Sequence, residues 1–255
     1  MAEPSAASLA FKPDPGASYK LIYLAQRNPA LQADDFPQAW REHSQLASKF
    51  AGSLGSHFRS VRQCVKDRAA GLADTFSNDR DGSAILAMKS WNDLMSARYH
   101  PRALDEMLAD EARVFSSQVD NWTMAVAETV LQDGETGEHM ILSFLARRPA
   151  CGPAHFSERS LARTREFARG GSCEARIVWN EVIDPARDLK FDGVIELWYP
   201  NRTTALSAAA DPKTIEVLEQ SDIADPTAGA RLFARLNLAK QTSGEAEATA
   251  WEYDR

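Results

Sequence analysis

The sequence predicts an α+β protein built from two fused copies of one βαββαβ unit, the ferredoxin-like arrangement, closed into a single barrel. Two observations carry this prediction. Patterns for strand and helix run in the order β-α-β-β-α-β and then repeat. Individual residues repeat with them. Phe36 recurs 120 positions later as Phe156, Asp81-Gly82 recurs 111 later as Asp192-Gly193, and Asp110 recurs 112 later as Asp222. Slowly changing spacings are what a duplication leaves after small loop deletions.

Residues 1–18, rich in Ala, Ser, Pro and Gly, hold too little apolar surface to order on their own. The first unit occupies 19–131. Tyr19–Gln26 is apolar and partly β-propensive, as in a strand covered on both faces. Asp34-Asp35 before Phe36-Pro37 supply a capping acid and a first-turn proline. The helix they open places Phe36, Trp40, His43, Ala47 and Phe50 in one stripe, and Gly52 and Gly55 stop it. Ser60–Lys66 and Gly82–Lys89 are the middle strands. A helical segment from Trp91 to Glu111 is interrupted near Pro101, and Trp122–Leu131 is the fourth strand. A polar linker, 132–138, leads to the second unit, 139–241. Its elements are Met140–Arg147, Ala154–Arg169, Cys173–Ile183, Gly193–Tyr199, a helix over Thr203–Ser221 and a strand over Ala230–Lys240. A C-terminal tail, 242–255, follows.

A four-stranded sheet with helices on one side leaves its other face apolar and uncovered. Two such sheets packed face to face bury both, so the second copy supplies the partner that most such proteins find in a homodimer. The alternative is two independent domains on a linker. Fused barrels could still pair as a homodimer.

The 255 residues are 44% hydrophobic and 25% charged, an ordinary globular balance. A net charge of −7, with no Lys/Arg block, argues against nucleic acid as a partner. No apolar run approaches the roughly 18 residues of a membrane span. The N-terminus has no basic-then-apolar pattern of a signal peptide, so a cytoplasmic location is expected. Cys64, Cys151 and Cys173 form no disulfide framework or CxxC site and read as free thiols in a reducing compartment. No His/carboxylate motif suggests a metal. No GxGxxG, P-loop or nucleophile elbow suggests dinucleotide, NTP or serine-hydrolase chemistry.

Asp35-Phe36-Pro37-Gln38-Ala39-Trp40-Arg41-Glu42-His43 resembles the first helix of the EthD family, whose pattern is close to F-x-x-x-W-x-x-x-H. Here the histidine follows Trp40 by three. Ala25-Gln26-Arg27 with Pro29, Asp81-Gly82, and Asp110–Phe115 also look like that family. The resemblance covers most of 19–131 and, more weakly, 139–240. It implies a dimeric α/β-barrel, a superfamily with cofactor-free lyases, isomerases and monooxygenases acting on aromatic or polyketide-like compounds. It also places a histidine at His43.

His43 lies on the apolar stripe of the first helix. It is either a core histidine satisfied by one hydrogen bond or a near-neutral acid/base facing a cavity. The second copy carries Ser160 and Arg163 where the first has Trp40 and His43, which suggests that one half kept a working site. Tyr23 and Arg27 share a strand face and could orient a substrate oxygen or bind an acidic group. The bland reading makes them a core tyrosine and a strand-end charge. Trp40, Phe50 and Trp122 are candidate lining residues for a planar ligand. His57 could reach a cavity mouth or serve only as a surface-loop residue; His100, His139 and His155 are not candidates. Asp81/Asp192 and Asp110/Asp222 read as turn formers or caps.

The function expected is a cofactor-independent enzyme, a dehydratase, decarboxylase or isomerase, using His43 on an aromatic or similarly apolar compound. The alternatives are a cofactor-free monooxygenase and a non-catalytic small-molecule-binding accessory protein.

Overall fold

The computed structural model describes residues 17–49, 57–68, 72, 76, 79–99, 105–170 and 175–241. Phe50, Gly52, Gly55, His100, Pro101 and Cys173, together with both terminal segments, lie outside them. The first repeat runs β1 (Ser18–Ala25), α1 (Phe36–Lys49), β2 (Phe58–Lys66), β3 (Gly82–Met88), α2 (Trp91–Tyr99), α3 (Asp105–Val114) and, after a 3-10 turn at Val119–Trp122, β4 (Thr123–Gln132). The second runs β5 (His139–Leu145), α4 (Pro153–Arg169), β6 (Arg176–Asp184), β7 (Gly193–Tyr199), α5 (Arg202–Ala210), α6 (Pro212–Glu219) and β8 (Ala230–Gln241).

The second crossover is two helices where one was expected over Thr203–Ser221. Asp211 is extended (φ −77°, ψ 126°), its carboxylate accepts from the Thr214 amide at 2.9 Å, and Pro212 takes the first helical position. Together they end α5 and start α6.

All strand pairs are antiparallel, in the closed order β1-β3-β2-β8-β5-β7-β6-β4. Within each repeat the order is that of a ferredoxin-like unit, β4-β1-β3-β2 and β8-β5-β7-β6. The repeats join where the edge strand of one pairs with the last strand of the other: β2 with β8 and β4 with β6. Closure leaves no sheet edge exposed.

Period-two alternation then sorts side chains into two environments. From β1, Ile22 and Leu24 face the barrel interior with Met140, Leu142, Phe144 and Val194. Tyr19, Leu21, Tyr23 and Ala25 face the helices. Each repeat has its own helix–sheet layer, around Trp40 and Phe115 in the first and around Phe156 and Trp179 in the second.

The layers are filled by an exchange between elements. A Cβ at Gly82 would stand 2.6 Å from Cζ3 of Trp40, an indole delivered by α1. At the equivalent Gly193 it would stand 2.7 Å from Cζ3 of Trp179, an indole delivered by β6. Strand register makes Gln63 the counterpart of Trp179, since each lies opposite the second residue after its glycine. Ser160, fully buried, takes the place of Trp40. The second copy therefore did not lose its tryptophan; the ring comes from the opposite side of the same space. The missing aromatic at 160 is no sign of an abandoned site.

Candidate functional site

His43 is 8% exposed, and its Nδ1 lies 2.7 Å from Oδ2 of Asp110 on α3. Asp110 also accepts from Arg113 Nε at 2.7 Å. Burial works against the Asp110 carboxylate, yet the hydrogen bonds from Arg113 and His43 prevail and hold its pKa below the ordinary value. With Nδ1–H given to Asp110, the lone pair of the imidazole resides on Nε2, the arrangement of an oriented base. Nothing in the sequence joins these two residues. Both positions have counterparts in the second repeat, Arg163 of α4 and Asp222 after α6, which are joined by two hydrogen bonds. A helix-to-helix clasp is thus common to both repeats. Only the first makes it with an imidazole.

Phe115 gathers the other candidates. Its ring lies 5.4 Å from His43, 5.9 Å from Trp40 and 6.4 Å from Tyr23, each edge-on. Trp40 Nε1 donates to the Tyr23 hydroxyl at 3.3 Å, and Trp122 is buried in the same layer. Arg27 stands apart. Its amide donates to Asp81 and its guanidinium lies near the same carboxylate, just as Arg147 holds Asp192. This repeated turn lock accounts for Arg27 and for both aspartates. His57 engages Asp93 of α2 at 2.8 Å rather than α3.

A second polar cluster went unread in the sequence. On the interior face of β1, Lys20 is 5% exposed and pairs with Glu196 of β7 at 2.6 Å and with Glu128 of β4. Glu196, 1% exposed, also accepts from Asn180 Nδ2 and Trp198 Nε1, both at 2.9 Å. Burial alone would raise its pKa, but Lys20 and these donors hold it below the ordinary value. Beside it, burial pushes the Cys64 thiol well up, so Cys64 stays protonated. The available signal was charge inside otherwise apolar strands, Lys20 in SYKLIYLA and Glu196 in GVIELWY.

Depressed carboxyls fix the sign of the acid response. Asp110 is held below its ordinary value of 3.8, so its clasp stabilises the fold above that pH and is lost as pH falls through the folded value. Stability should fall below about pH 4, and Asp110→Asn should flatten that slope by about 1 kcal/mol, allowing for solvent screening. Urea midpoints measured across pH 2–6 check this; an unchanged slope would count against the clasp.

Among the described residues no helix is long and apolar enough to cross a membrane, and no group of three His, Cys, Asp or Glu side chains could hold a metal ion.

The closed barrel of two ferredoxin-like repeats, with helices on its outer face, defines this protein as a fused dimeric α/β-barrel. Residues 28–118, within the first repeat, match the EthD domain. No curated protein matches the chain. Among solved structures, an anthrone oxidase-like protein shares the fold with a TM-score of 0.58 at 9% identity, over 93% of this chain and 97% of the other. A candidate monooxygenase from Fusobacterium nucleatum gives 0.53 at 8% identity, over 90% and 96%. At these identities the likeness is one of fold.

Proposed function

We propose that the protein is a cofactor-independent enzyme that moves a proton on a small aromatic or polyketide-like compound. On this reading it is a lyase (dehydratase or decarboxylase) or an isomerase, with His43 as general acid/base and Asp110 as its orienting partner. The observation that supports this most is the 2.7 Å contact between His43 Nδ1 and Asp110 Oδ2. Asp110 fixes the tautomer and stabilises the imidazolium formed when Nε2 takes a substrate proton. The neighbouring rings of Trp40, Phe115 and Trp122 suit a flat apolar substrate, and Tyr23 stands where it could orient an oxygen. Arg27, held in the turn lock, has no part in the proposal.

The fold shared with an anthrone oxidase-like protein favours a second reading, a cofactor-free monooxygenase whose first step is the same proton abstraction. The Arg163–Asp222 counterpart favours a third, in which the clasp is architectural and the protein only binds its ligand.

Arg163 suggests the test. His43→Arg keeps the clasp and removes the imidazole lone pair that acts as the base. Anthrone, whose methylene protons are acidic, is incubated in D₂O under argon and its hydrogen–deuterium exchange followed by NMR. The wild type should accelerate exchange, and His43→Arg should lose about 10²–10⁴-fold of that while keeping its thermal midpoint. Exchange that survives in His43→Arg would sink the acid/base role. Oxygen uptake on admitting air would favour the monooxygenase.

A further inference from the structure

The interior cluster borders a cavity of about 380 Å³ at the end of the barrel where β1 begins, lined by Lys20, Arg62, Glu128, Glu196 and Trp198 among others. That volume suits a small organic ligand. Lys20 comes from the same strand as Tyr23 but projects from the opposite face, so this space is separate from the His43 layer.

The duplication shows that the fold does not require the cluster. By strand register, Lys20 corresponds to Met140 and Glu196 to Ile85. Glu128 likewise corresponds to Leu236, Arg62 to Val178 and Trp198 to Ala87. Every one of these five residues thus has an apolar counterpart in the other repeat. Buried ion pairs are often no more stabilising than apolar residues of similar size, so stability gives little reason to keep this one.

The charges do not balance around Arg62. Its guanidinium lies 5.7 Å from the centroid of the Trp198 indole. Its hydrogen bond to Ser60 Oγ is long, at 3.4 Å, and no carboxylate partners it among the described residues. Lys20, by contrast, already has two carboxylates. An arginine fork spread on an indole and facing a cavity is a receptor for a planar, bidentate anion. Behind Glu196, Asn180 is fully buried and its Oδ1 has no hydrogen-bond partner.

We propose that the barrel interior is a second ligand site that binds a small planar organic carboxylate, with Arg62 holding the carboxylate and Trp198 its flat body. Lys20, Glu128 and Glu196 form the polar wall beside it.

Benzoate is the probe, titrated calorimetrically against the full chain, with benzyl alcohol as its neutral analogue and inorganic phosphate as a compact anion. The wild type should bind benzoate saturably in the millimolar range or tighter and prefer it to both analogues. Arg62→Met should weaken benzoate by at least about tenfold, since hydrogen bonds to a charged group are lost. Arg62→Lys, which keeps charge but loses the fork, should fall between. His43→Arg, on the other side of the sheet, should leave benzoate affinity unchanged, so this result stands or falls apart from the anthrone experiment. Equal affinity in Arg62→Met with its thermal midpoint retained, equal binding of benzyl alcohol or phosphate, or no saturable binding at millimolar benzoate would each overturn the proposal.

Discussion

Lys20→Met is expected to cost about 3–5 kcal/mol at neutral pH, although methionine occupies the same register position in the second repeat. The side chain fits; the cost arises from what it leaves behind. Glu196 and Glu128 would remain in the barrel interior without their shared ammonium. Asn180 and Trp198 can stabilise the carboxylate of Glu196 but bring no positive charge. The folded variant would therefore bind protons more readily than its unfolded chain. Its stability should fall with rising pH through the raised carboxyl values and return on acidification, opposite to the slope expected at Asp110. Adding Glu128→Leu and Glu196→Ile, the residues of the opposite half, should restore most of the loss, less about 1 kcal/mol for the acceptor Trp198 Nε1 then lacks. Urea unfolding at pH 5 and pH 8 distinguishes the cases. A single variant as stable as wild type at both values would show that the cluster does not carry buried charge.

The indole exchange gives a second large effect. Trp40→Ala should cost about 3–5 kcal/mol, because Trp40 is fully buried against Phe36, Phe115 and the bare Cα of Gly82. Trp179→Ala should cost as much in the other layer. The informative variant is Trp40→Ser with Gln63→Trp, which gives the first repeat the second repeat's solution. Gln63 now bonds Ser44 of α1, so Gln63→Trp alone should be destabilising. The double variant should be more stable than the two single losses predict, with a coupling of about 0.5–3 kcal/mol. Strict additivity in a double-mutant cycle would mean that the two indoles do not share equivalent space.

These variants also bear on the catalytic reading. At Trp40 the difference between the repeats is a change of supplier. At His43 it is finer: the clasp is kept and its nitrogen partner changes from imidazole to guanidinium. Inside the barrel it is complete: each polar residue of the cluster has an apolar counterpart in the other repeat.

The order of elements and the duplication were legible in the sequence because both depend on local chemistry. Asp35-Phe36-Pro37 opens a helix and Asp81-Gly82 and Asp192-Gly193 open strands whatever surrounds them. The apolar stripe through Phe36, Trp40 and His43 fixed which face of α1 is buried. Partners were another matter. His43 and Asp110 are 67 residues apart, and Lys20 and Glu196 are 176 apart, brought together only by sheet order and closure. Period two says that Lys20 and Tyr23 face opposite ways; in a strand buried on both sides it cannot say which way is inward. Only the pairings β2–β8 and β4–β6 settle that, by turning two open sheets into one barrel with an inside. The sequence by itself determined that the chain is one unit used twice. The tertiary structure decided where the two uses differ, because a buried charge declares itself only when its surroundings are known.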